Sequence, residues 1–482
     1  MELPVAFTDY TRILMGAEEY DKLAEALKEE QPISIRLNET KLKEVLPDIL
    51  RSSFQPVLWS DSGFYLPNRL TFTFDPLFHA GCYYVQEAAS MFVEQVVKQY
   101  VAEEPVVMLD LCAAPGGKST HIRSVLPKGS LLVANEVIRN RSQILAENLT
   151  KWGYPEVVVT NNDPIDFSSL EDFFDVVLAD VPCSGEGMFR KDAVAVNEWS
   201  PENVKICWQR QRRIISDIWG SLKPGGLLIY STCTYNSKEN EENIRWMRDE
   251  FDAEILPLEV SKSWNITGNL LSDEAFPVYH FLPHKTKGEG FFLAVLRKPE
   301  MNISKIWNEP ASLREKGRKY QGKGAKTVEP SKEQLSKISE WLLMPDDYEL
   351  LVNSHSVSAF PKCYLAELTR LRSSLRILQA GVNIAELKGK DWIPEHALAM
   401  SLSLNPEAFV REEVSYEQAI AYLRKEAVTL IETVPRGVVL LTYRKIPLGF
   451  VKNIGNRANN LYPQEWRIRS GYLPGEVLEL GR

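Results

Sequence analysis

The sequence predicts an α/β protein: a doubly wound, Rossmann-like parallel sheet with an α+β N-terminal extension and an α+β C-terminal module. Three observations carry this. Between about 105 and 297, Val/Leu/Ile-rich runs alternate with helical stretches, the pattern of strands buried on both faces. A chain of 482 residues exceeds what one core organises, so two or three domains are expected. The stretch "SLREKGRKYQGKGAK" (312–326) carries six basic residues, one acid and three glycines, and reads as a linker between modules.

The elements follow in order. "EEYDKLAEALKEE" (18–30) has helical spacing and "PISIRLN" (32–38) alternates as a strand. The stretch 77–101 ends in an amphipathic helix with Ala88, Met91, Phe92 and Val96 on one face. In the core segment, 101–300, strands are expected at 106–111, 130–136, 156–161, 174–180 and 226–232. Helices near 118–126, 138–152 and 203–221 separate them, and "GFFLAVLRK" (290–298) reads as a late, antiparallel strand. A basic linker (301–330) then leads to a C-terminal module (331–482). Between Arg436 and Arg469 that module holds seven Arg/Lys against Glu465, with Tyr443, Tyr462 and Trp466 interleaved. This suits nucleic-acid contact, and a solvated sheet edge studded with cations fits the same composition.

Composition narrows the class. No apolar stretch approaches the ~18–20 residues that cross a bilayer, and the N-terminus has no basic region before a long apolar run. The chain is expected to be cytoplasmic. Six cysteines (82, 112, 183, 207, 233, 363) form no CxxC pair, which argues against disulfides and structural zinc. His79, His121, His280 and His284 show no ligand spacing, so no metal is expected; Cys82, Cys207 and Cys363 read as structural. Arg210, Arg212 and Arg213, on a helix in "ICWQRQRRII", read as a solvated face.

The strand ends carry the chemistry. "LDLCAAPGGKSTHI" (109–122) turns from strand to helix through Pro115, Gly116 and Gly117, where the backbone can approach a ligand at a helix N-terminus. The spacing matches neither GxGxxG nor GxxxxGK[ST]. Glu136 follows the second strand, where an acid accepts ribose hydroxyl hydrogens, and Asp163 past the third strand is placed to flank a base. Asp180, Cys183 and Cys233 follow the fourth and fifth strands, in "LADVPCSGEG" and "YSTCTYNSKENEENI". Adjacent strands lie ~4.8 Å apart, so both thiols can share one pocket. Free cysteine is usually a small core residue. Here each has polar or turn-forming neighbours, and Asn236 with Glu239 has the spacing of a capping box, placing a helix start just after Cys233. Thiolate, carboxylate and nucleoside together suit one reaction. A thiolate adding at pyrimidine C6 makes C5 nucleophilic, an acid at N3 stabilises the ring charge, and a base removes the C5 proton.

"DLCAAPGGKSTHI", "DVPCSGEG", "STCTYNSKENE" and "PHKTKGEGFF" (283–292), in this order, resemble the motif set of the NOL/NOP/Sun family of RNA cytosine-5 methyltransferases, and "VQEAASM" (85–91) matches its upstream element. The resemblance spans about 80–297, and the overall layout is similar to the family's RsmF-type branch, which methylates small-subunit rRNA. It implies a methyltransferase core binding S-adenosyl-L-methionine through Cys112, Ala113, Ala114, Pro115, Gly116, Gly117 and Lys118. It also implies Glu136 on the ribose, Asp163 at the adenine and Asp180 between cofactor and cytosine. It makes Cys233 the nucleophile and Cys183 the helper in product release. Residues 1–100 become an RRM-like RNA-binding extension and 331–482 a PUA-like RNA-binding module, with rRNA or an assembled small subunit as partner. The sequence departs from the family at Val181, where Ala is frequent, and in "RKDAVAVNEW" (190–199), which lacks a proline after the acid. A tRNA substrate, a DNA cytosine-5 methyltransferase with the thiol roles exchanged, and a non-catalytic assembly factor are the competing readings. The Thr-Cys motif opposes the second, and retention of both thiols and Asp180 opposes the third.

Overall fold

The computed structural model of the chain describes residues 2–43, 54–101, 104–300, 330–473, 475, 477, 479 and 480. The expected basic stretch 312–326 lies outside the described residues.

Two helices, α1 (Val5–Met15) and α2 (Ala17–Ala26), open the chain. Their apolar residues Phe7, Tyr20 and Leu23 are buried against Phe189, Trp199 and Tyr235. A four-stranded antiparallel sheet follows, ordered β2–β3–β1–β4, from β1 (Ile33–Leu37), β2 (Gln55–Pro56), β3 (Gly63–Leu66) and β4 (Tyr83–Val85). The short helices α3 (Glu39–Leu42) and α4 (Pro76–His79) connect it, and α5 (Val93–Tyr100) leads onward. Ala88, Met91, Phe92 and Val96 are all buried in the central core, as their spacing predicts.

The central sheet is built from β5 (Val107–Asp110), α6 (Gly117–Val125), β6 (Leu131–Asn135), α7 (Arg139–Trp152), β7 (Val157–Thr160) and β8 (Phe174–Asp180). It continues through α8 (Ala193–Glu198), α9 (Pro201–Trp219), β9 (Leu222–Thr232), α10 (Glu241–Phe251), β10 (Glu254–Leu256), β11 (Tyr279–Phe281) and β12 (Phe291–Arg297). The order is β10–β12–β9–β8–β5–β6–β7, with β11 on β12. Pairs β5–β6, β6–β7, β5–β8 and β8–β9 are parallel, and β12 runs antiparallel to β9. Successive residues of β5 enter opposite cores, Met108 one and Leu109 the other, which is why the strands read as unbroken apolar runs. Strand order reverses between β5 and β8, and ligands of such sheets bind in the crevice at that reversal.

The remainder comprises α11 (Lys332–Ser339), β13 (Tyr348–Val352), β14 (Ser356–Pro361), α12 (Leu365–Ser374), β15 (Ile377–Ala380), β16 (Val382–Lys388) and β17 (Asp391–Pro394). Then come α13 (His396–Met400), β18 (Val410–Glu413), α14 (Tyr416–Leu423), β19 (Gly437–Tyr443), β20 (Ile446–Asn453) and β21 (Ala458–Asn460). They form sheets ordered β13–β14–β16–β17 and β18–β19–β20–β21. The exception is β15, which pairs with β7 and closes that edge of the central sheet, while Leu368 and Leu371 of α12 enter the core beneath it. Ile35, Phe64 and Leu77 of the N-terminal sheet share a core with Ile420, Leu441 and Leu448 near the C-terminus. Among the described residues no helix is long and apolar enough to cross a membrane.

Candidate active site

Each strand of the switch region delivers one part of the site. After β5, Gly116 caps α6 at φ +112, a conformation that glycine adopts without strain. This turn presents Cys112 through Lys118 along the crevice, and Arg141 and Asn148 of α7 donate to the carbonyls of Ala114 and Pro115 at 2.7 Å each. Glu136, just past β6, is buried; it accepts the Ile138 N–H at 2.8 Å and faces the Arg141 guanidinium at 3.4 Å. Asp163, past β7, pairs with Arg213 at 3.0 Å.

At the end of β8, Asp180 accepts from the Lys118 ammonium at 2.9 Å and from the Ser231 hydroxyl of β9 at 2.7 Å. Burial alone would lower the Lys118 pKa, but the charges of Asp180 and Cys233 outweigh it and hold the ammonium above its ordinary value. Its cationic head also lies 5.0 Å from the Phe291 ring centre. Asp110, the last residue of β5, is buried with Oδ1 unpartnered and Oδ2 accepting from Ser119 at 2.6 Å. Burial first, and then the nearby Asp180 carboxylate, push its pKa up to about 7.

The two loop thiols meet. Cys183 Sγ and Cys233 Sγ are 3.1 Å apart, and Cys183 Sγ accepts the Cys233 backbone N–H at 3.3 Å. The hydrogen bond with Cys233, then burial, hold the Cys183 thiol well above its usual range.

The expected helix start just after Cys233 does not occur. Glu239 N–H does donate to the Asn236 side chain at 2.9 Å, as in a cap, but the reciprocal bond is not made: Asn236 N–H donates to Glu186, its side-chain amide donates to the Glu239 carboxylate at 2.8 Å, and α10 begins only at Glu241. Their side chains are drawn elsewhere. Glu239 also accepts from Ser184 N–H and Gln211, and Asn236 donates to Glu186. The buried Glu186 carboxylate, which additionally accepts the backbone N–H groups of Tyr235 and Asn236 and the Trp199 indole, fixes the loop that carries Cys233. A helix N-terminus is therefore not what acts on Cys233; the Lys118 ammonium interacts with it electrostatically.

The remaining motifs brace this arrangement. Gly187 donates to the Cys233 carbonyl at 2.8 Å and packs against Gly290 of "KGEGFF". Glu289 forms a buried pair with Arg190 at 2.9 Å, and its N–H reaches Glu87 of "VQEAASM" at 2.8 Å. Tyr10 of α1 accepts the Ser237 N–H, fastening the N-terminus to the Cys233 loop. Asp110, Glu186, Glu239 and Glu87 were missed as site residues, although all lie within or beside the recognised motifs. Other readings need correction. Arg212 is not on a solvated face: it is half-buried over the Trp208 and Trp246 rings at 4.3 and 5.0 Å. Cys363, read as structural, is exposed, whereas Cys82 and Cys207 are buried.

Two cavities meet at the thiols. One, of about 590 Å³, runs from Asp163 and Glu136 past Cys112 and Ala114 to Asp180, Cys183 and Cys233. Its wall includes Val137 and Ile138, 53% and 51% exposed, apolar surface suited to the face of a base. Carboxylates at one end for hydroxyl and amino hydrogens, apolar walls and a thiol at the other end fit a nucleoside carrying a reactive group. The second cavity, about 440 Å³, lies between the N-terminal sheet and the core and includes Lys118, Asp180 and Cys233. Among the described residues no group of three or more His, Cys, Asp or Glu is arranged to hold a metal ion.

A doubly wound core with a glycine turn after its first strand and an acid after its second defines an S-adenosylmethionine-dependent methyltransferase. Comparison with known proteins assigns the family. Residues 99–297 match the model described as 16S rRNA methyltransferase RsmB/F, 3–88 the N-terminal domain of 16S rRNA methyltransferase RsmF, and 410–468 the methyltransferase RsmF PUA domain. The chain is 31% identical to ribosomal RNA small subunit methyltransferase F of Cronobacter sakazakii, over 98% of this chain and 97% of that one. Among solved structures it is similar to a methyltransferase homolog protein from Pyrococcus horikoshii, at 29% identity and a TM-score of 0.52, covering 61% of this chain and 94% of that chain. It shares its fold with NSun6 from the same organism, solved with SFG, at 21% identity and a TM-score of 0.51, covering 62% and 99%. The chain belongs to the RsmB/F methyltransferase family, with an RsmF-type N-terminal domain and a C-terminal PUA domain.

Proposed function

We propose that this protein methylates C5 of a cytosine in 16S rRNA, in the cytoplasm, through a covalent bond between Cys233 and C6. The observation that carries this reading is the thiol pair, 3.1 Å apart where two cavities meet, with Cys233 lining both and Cys183 only the larger. An attacking sulfur must reach the RNA side and the cofactor side together, which favours Cys233 and opposes the exchanged roles of a DNA-type enzyme. The names of the relatives support 16S rRNA as substrate.

S-adenosylmethionine, when bound, supplies an electrophilic methyl group. The turn Cys112–Lys118, Glu136, Asp163 and Asp180 are the residues that would hold it. The chain's own groups do the rest. Lys118 keeps positive charge beside Cys233, and a nearby cation favours the thiolate that attack requires. Its sulfur bonds to C6 and turns C5 into an enamine carbon. Asp180, braced by Lys118 and Ser231, stands at the N3 edge, where it delivers a proton to N3 and so neutralises the negative charge that thiolate addition puts on the ring. Once Cys233 is bonded to carbon, the charge that held the Cys183 proton is gone. Cys183 then gives its own proton to solvent and, as thiolate, takes the C5 proton; the C5–H electron pair re-forms the C5=C6 double bond and the C6–S bond breaks, releasing Cys233 as thiolate. A paired cytosine has to leave its stack before C6 can be reached. The N-terminal sheet (within 1–100) and the PUA domain are assigned to RNA binding.

The test is methyl transfer from labelled cofactor to 16S rRNA, small subunits or tRNA, with 5-methylcytosine mapped in the product. Wild type is expected to label one or a few cytosines of 16S rRNA, and Cys233→Ala none. A Cys233→Ala protein that methylates at the wild-type rate overturns the mechanism; labelling of tRNA alone overturns the substrate.

A further inference from the structure

The smaller cavity is built by two parts of the chain. Its core side holds Cys233 and the Lys118–Asp180 pair; its outer wall is the N-terminal segment around Arg69 and Phe72, and Lys191 stands on the core side of the mouth. Three features of that mouth go unused by the chemistry above. Phe72, in a short turn between the third and fourth strands, is half-buried: one face packs on Phe78 and Tyr83, with ring centres 6.2 and 6.1 Å away. Arg69 and Lys191 are exposed and make no ion pair among the described residues. Asp180 in the same cavity is engaged by Lys118, Asp110 keeps Oδ1 unpartnered, and the two glutamates are held by their neighbours. Glu87 accepts the N–H groups of Ala89, Ser90 and Glu289, and Glu289 pairs with Arg190. The lining therefore offers the Phe72 ring with the Arg69 guanidinium over it, 5.7 Å from its centre, together with the exposed Lys191 and, deeper in, the Cys233 thiol.

That combination fits single-stranded RNA. A base stacks on an aromatic side chain, flanking phosphates bind cations, and such stacking is worth ~1–3 kcal/mol per base. We propose that Phe72 stacks the nucleotide next to the target cytosine while Arg69 and Lys191 bind the phosphates on either side, so that the N-terminal domain completes the RNA slot. The proposal rests on the function assigned above. On this view Phe72 is a specificity-determining residue: it positions the strand, and the core carries out the reaction.

The test uses the full chain and protein-free 16S rRNA. Phe72→Leu keeps the apolar packing and removes the aromatic face; Phe72→Trp retains a face. The KM for RNA is expected to rise on the order of 10-fold in Phe72→Leu and to return toward wild type in Phe72→Trp, with the cofactor KM unchanged in both. Arg69→Ala and Lys191→Ala are each expected to lower the salt-dependence slope of RNA binding by about 1. With Phe72→p-benzoylphenylalanine, irradiation is expected to crosslink the RNA within two nucleotides of the methylated cytosine. A Phe72→Leu protein with wild-type KM, or crosslinks far from that cytosine or none at all, overturns the proposal. Absence of cytosine methylation by wild type overturns the functional reading instead, so the two failures are distinguishable.

Discussion

Replacing Gly187 by alanine tests how tightly the motifs hold the Cys233 loop. A Cβ at 187 would lie 2.7 Å from the Gly290 carbonyl oxygen, 2.8 Å from the Cys233 carbonyl oxygen and 2.9 Å from the Gly290 Cα. All three neighbours are backbone, so no side chain can swing aside. Ordinary contact begins at 3.4 Å, so the loops must part by about 0.7 Å, stretching the 2.8 Å bond from Gly187 N–H to the Cys233 carbonyl. Overpacking costs ~1–3 kcal/mol and the weakened hydrogen bond ~1 kcal/mol. The reduced freedom of the unfolded chain returns ~0.4–1 kcal/mol, leaving a net loss of about 1–3 kcal/mol. A displacement approaching 1 Å at a reacting group costs up to ~100-fold in rate, so kcat is expected to fall about 10- to 100-fold. Single-turnover methyl transfer and urea unfolding followed by tryptophan fluorescence measure the two effects. Gly220→Ala and Gly268→Ala, with nothing within 4 Å of the new Cβ, serve as controls. If Gly187→Ala matches those controls in rate and midpoint, the Cys233 loop is not held as described.

Three further outcomes are expected. The raised Asp110 pKa, about 7, means the folded state holds a proton that the unfolded state releases near 4; this group's contribution is fully present below that range and is lost as pH rises through 7. Asp110→Asn is therefore expected to gain stability relative to wild type at pH 8 over pH 5, by about 2–3 kcal/mol in urea unfolding, and an unchanged difference counts against it. Arg190→Met leaves Glu289 buried without its partner and is expected to cost ~3–5 kcal/mol; Arg190→Met/Glu289→Gln should recover much of it, and equal losses in single and double variants would remove the pair's role. Lys118→Met withdraws the cation beside Cys233, so iodoacetamide labelling of Cys233 at pH 7, followed by peptide mass spectrometry, is expected to slow about tenfold. Labelling at the wild-type rate would show that Lys118 does not favour the thiolate.

Much of the fold was legible because the central strands are buried on both faces and so read as runs: Val157–Thr160 and Phe174–Asp180 could hardly be anything else. The site was legible for a related reason, since Glu136, Asp163, Asp180, Cys183 and Cys233 each sit at or just beyond a strand end. Sequence spacing misled where side chains act at long range. The Asn236–Glu239 spacing is that of a helix cap, yet both side chains are shared with Ser184, Glu186 and Gln211, residues distant in the chain, and only a turn forms. Arg212 reads as a surface cation because its neighbours do; Trp246, 34 positions away, covers it. The short, half-buried strand Ile377–Ala380 carries no local sign that its partner is β7, because that pairing depends on which sheet edge is left open. Nor does local pattern reveal that Ile35 and Leu441 share one core.

The central claim, that Cys233 bonds to the cytosine ring while Cys183 governs release, is tested most directly by trapping that bond. With 16S rRNA containing 5-fluorocytidine, loss of the C5 substituent is blocked after methyl transfer, and the enzyme remains attached. Wild type is expected to give a denaturant-stable protein–RNA species whose attached peptide contains Cys233. Cys233→Ala should give none, and Cys183→Ala should accumulate the species even on unmodified RNA. A stable adduct formed by Cys233→Ala, or one mapped to Cys183, would contradict the account.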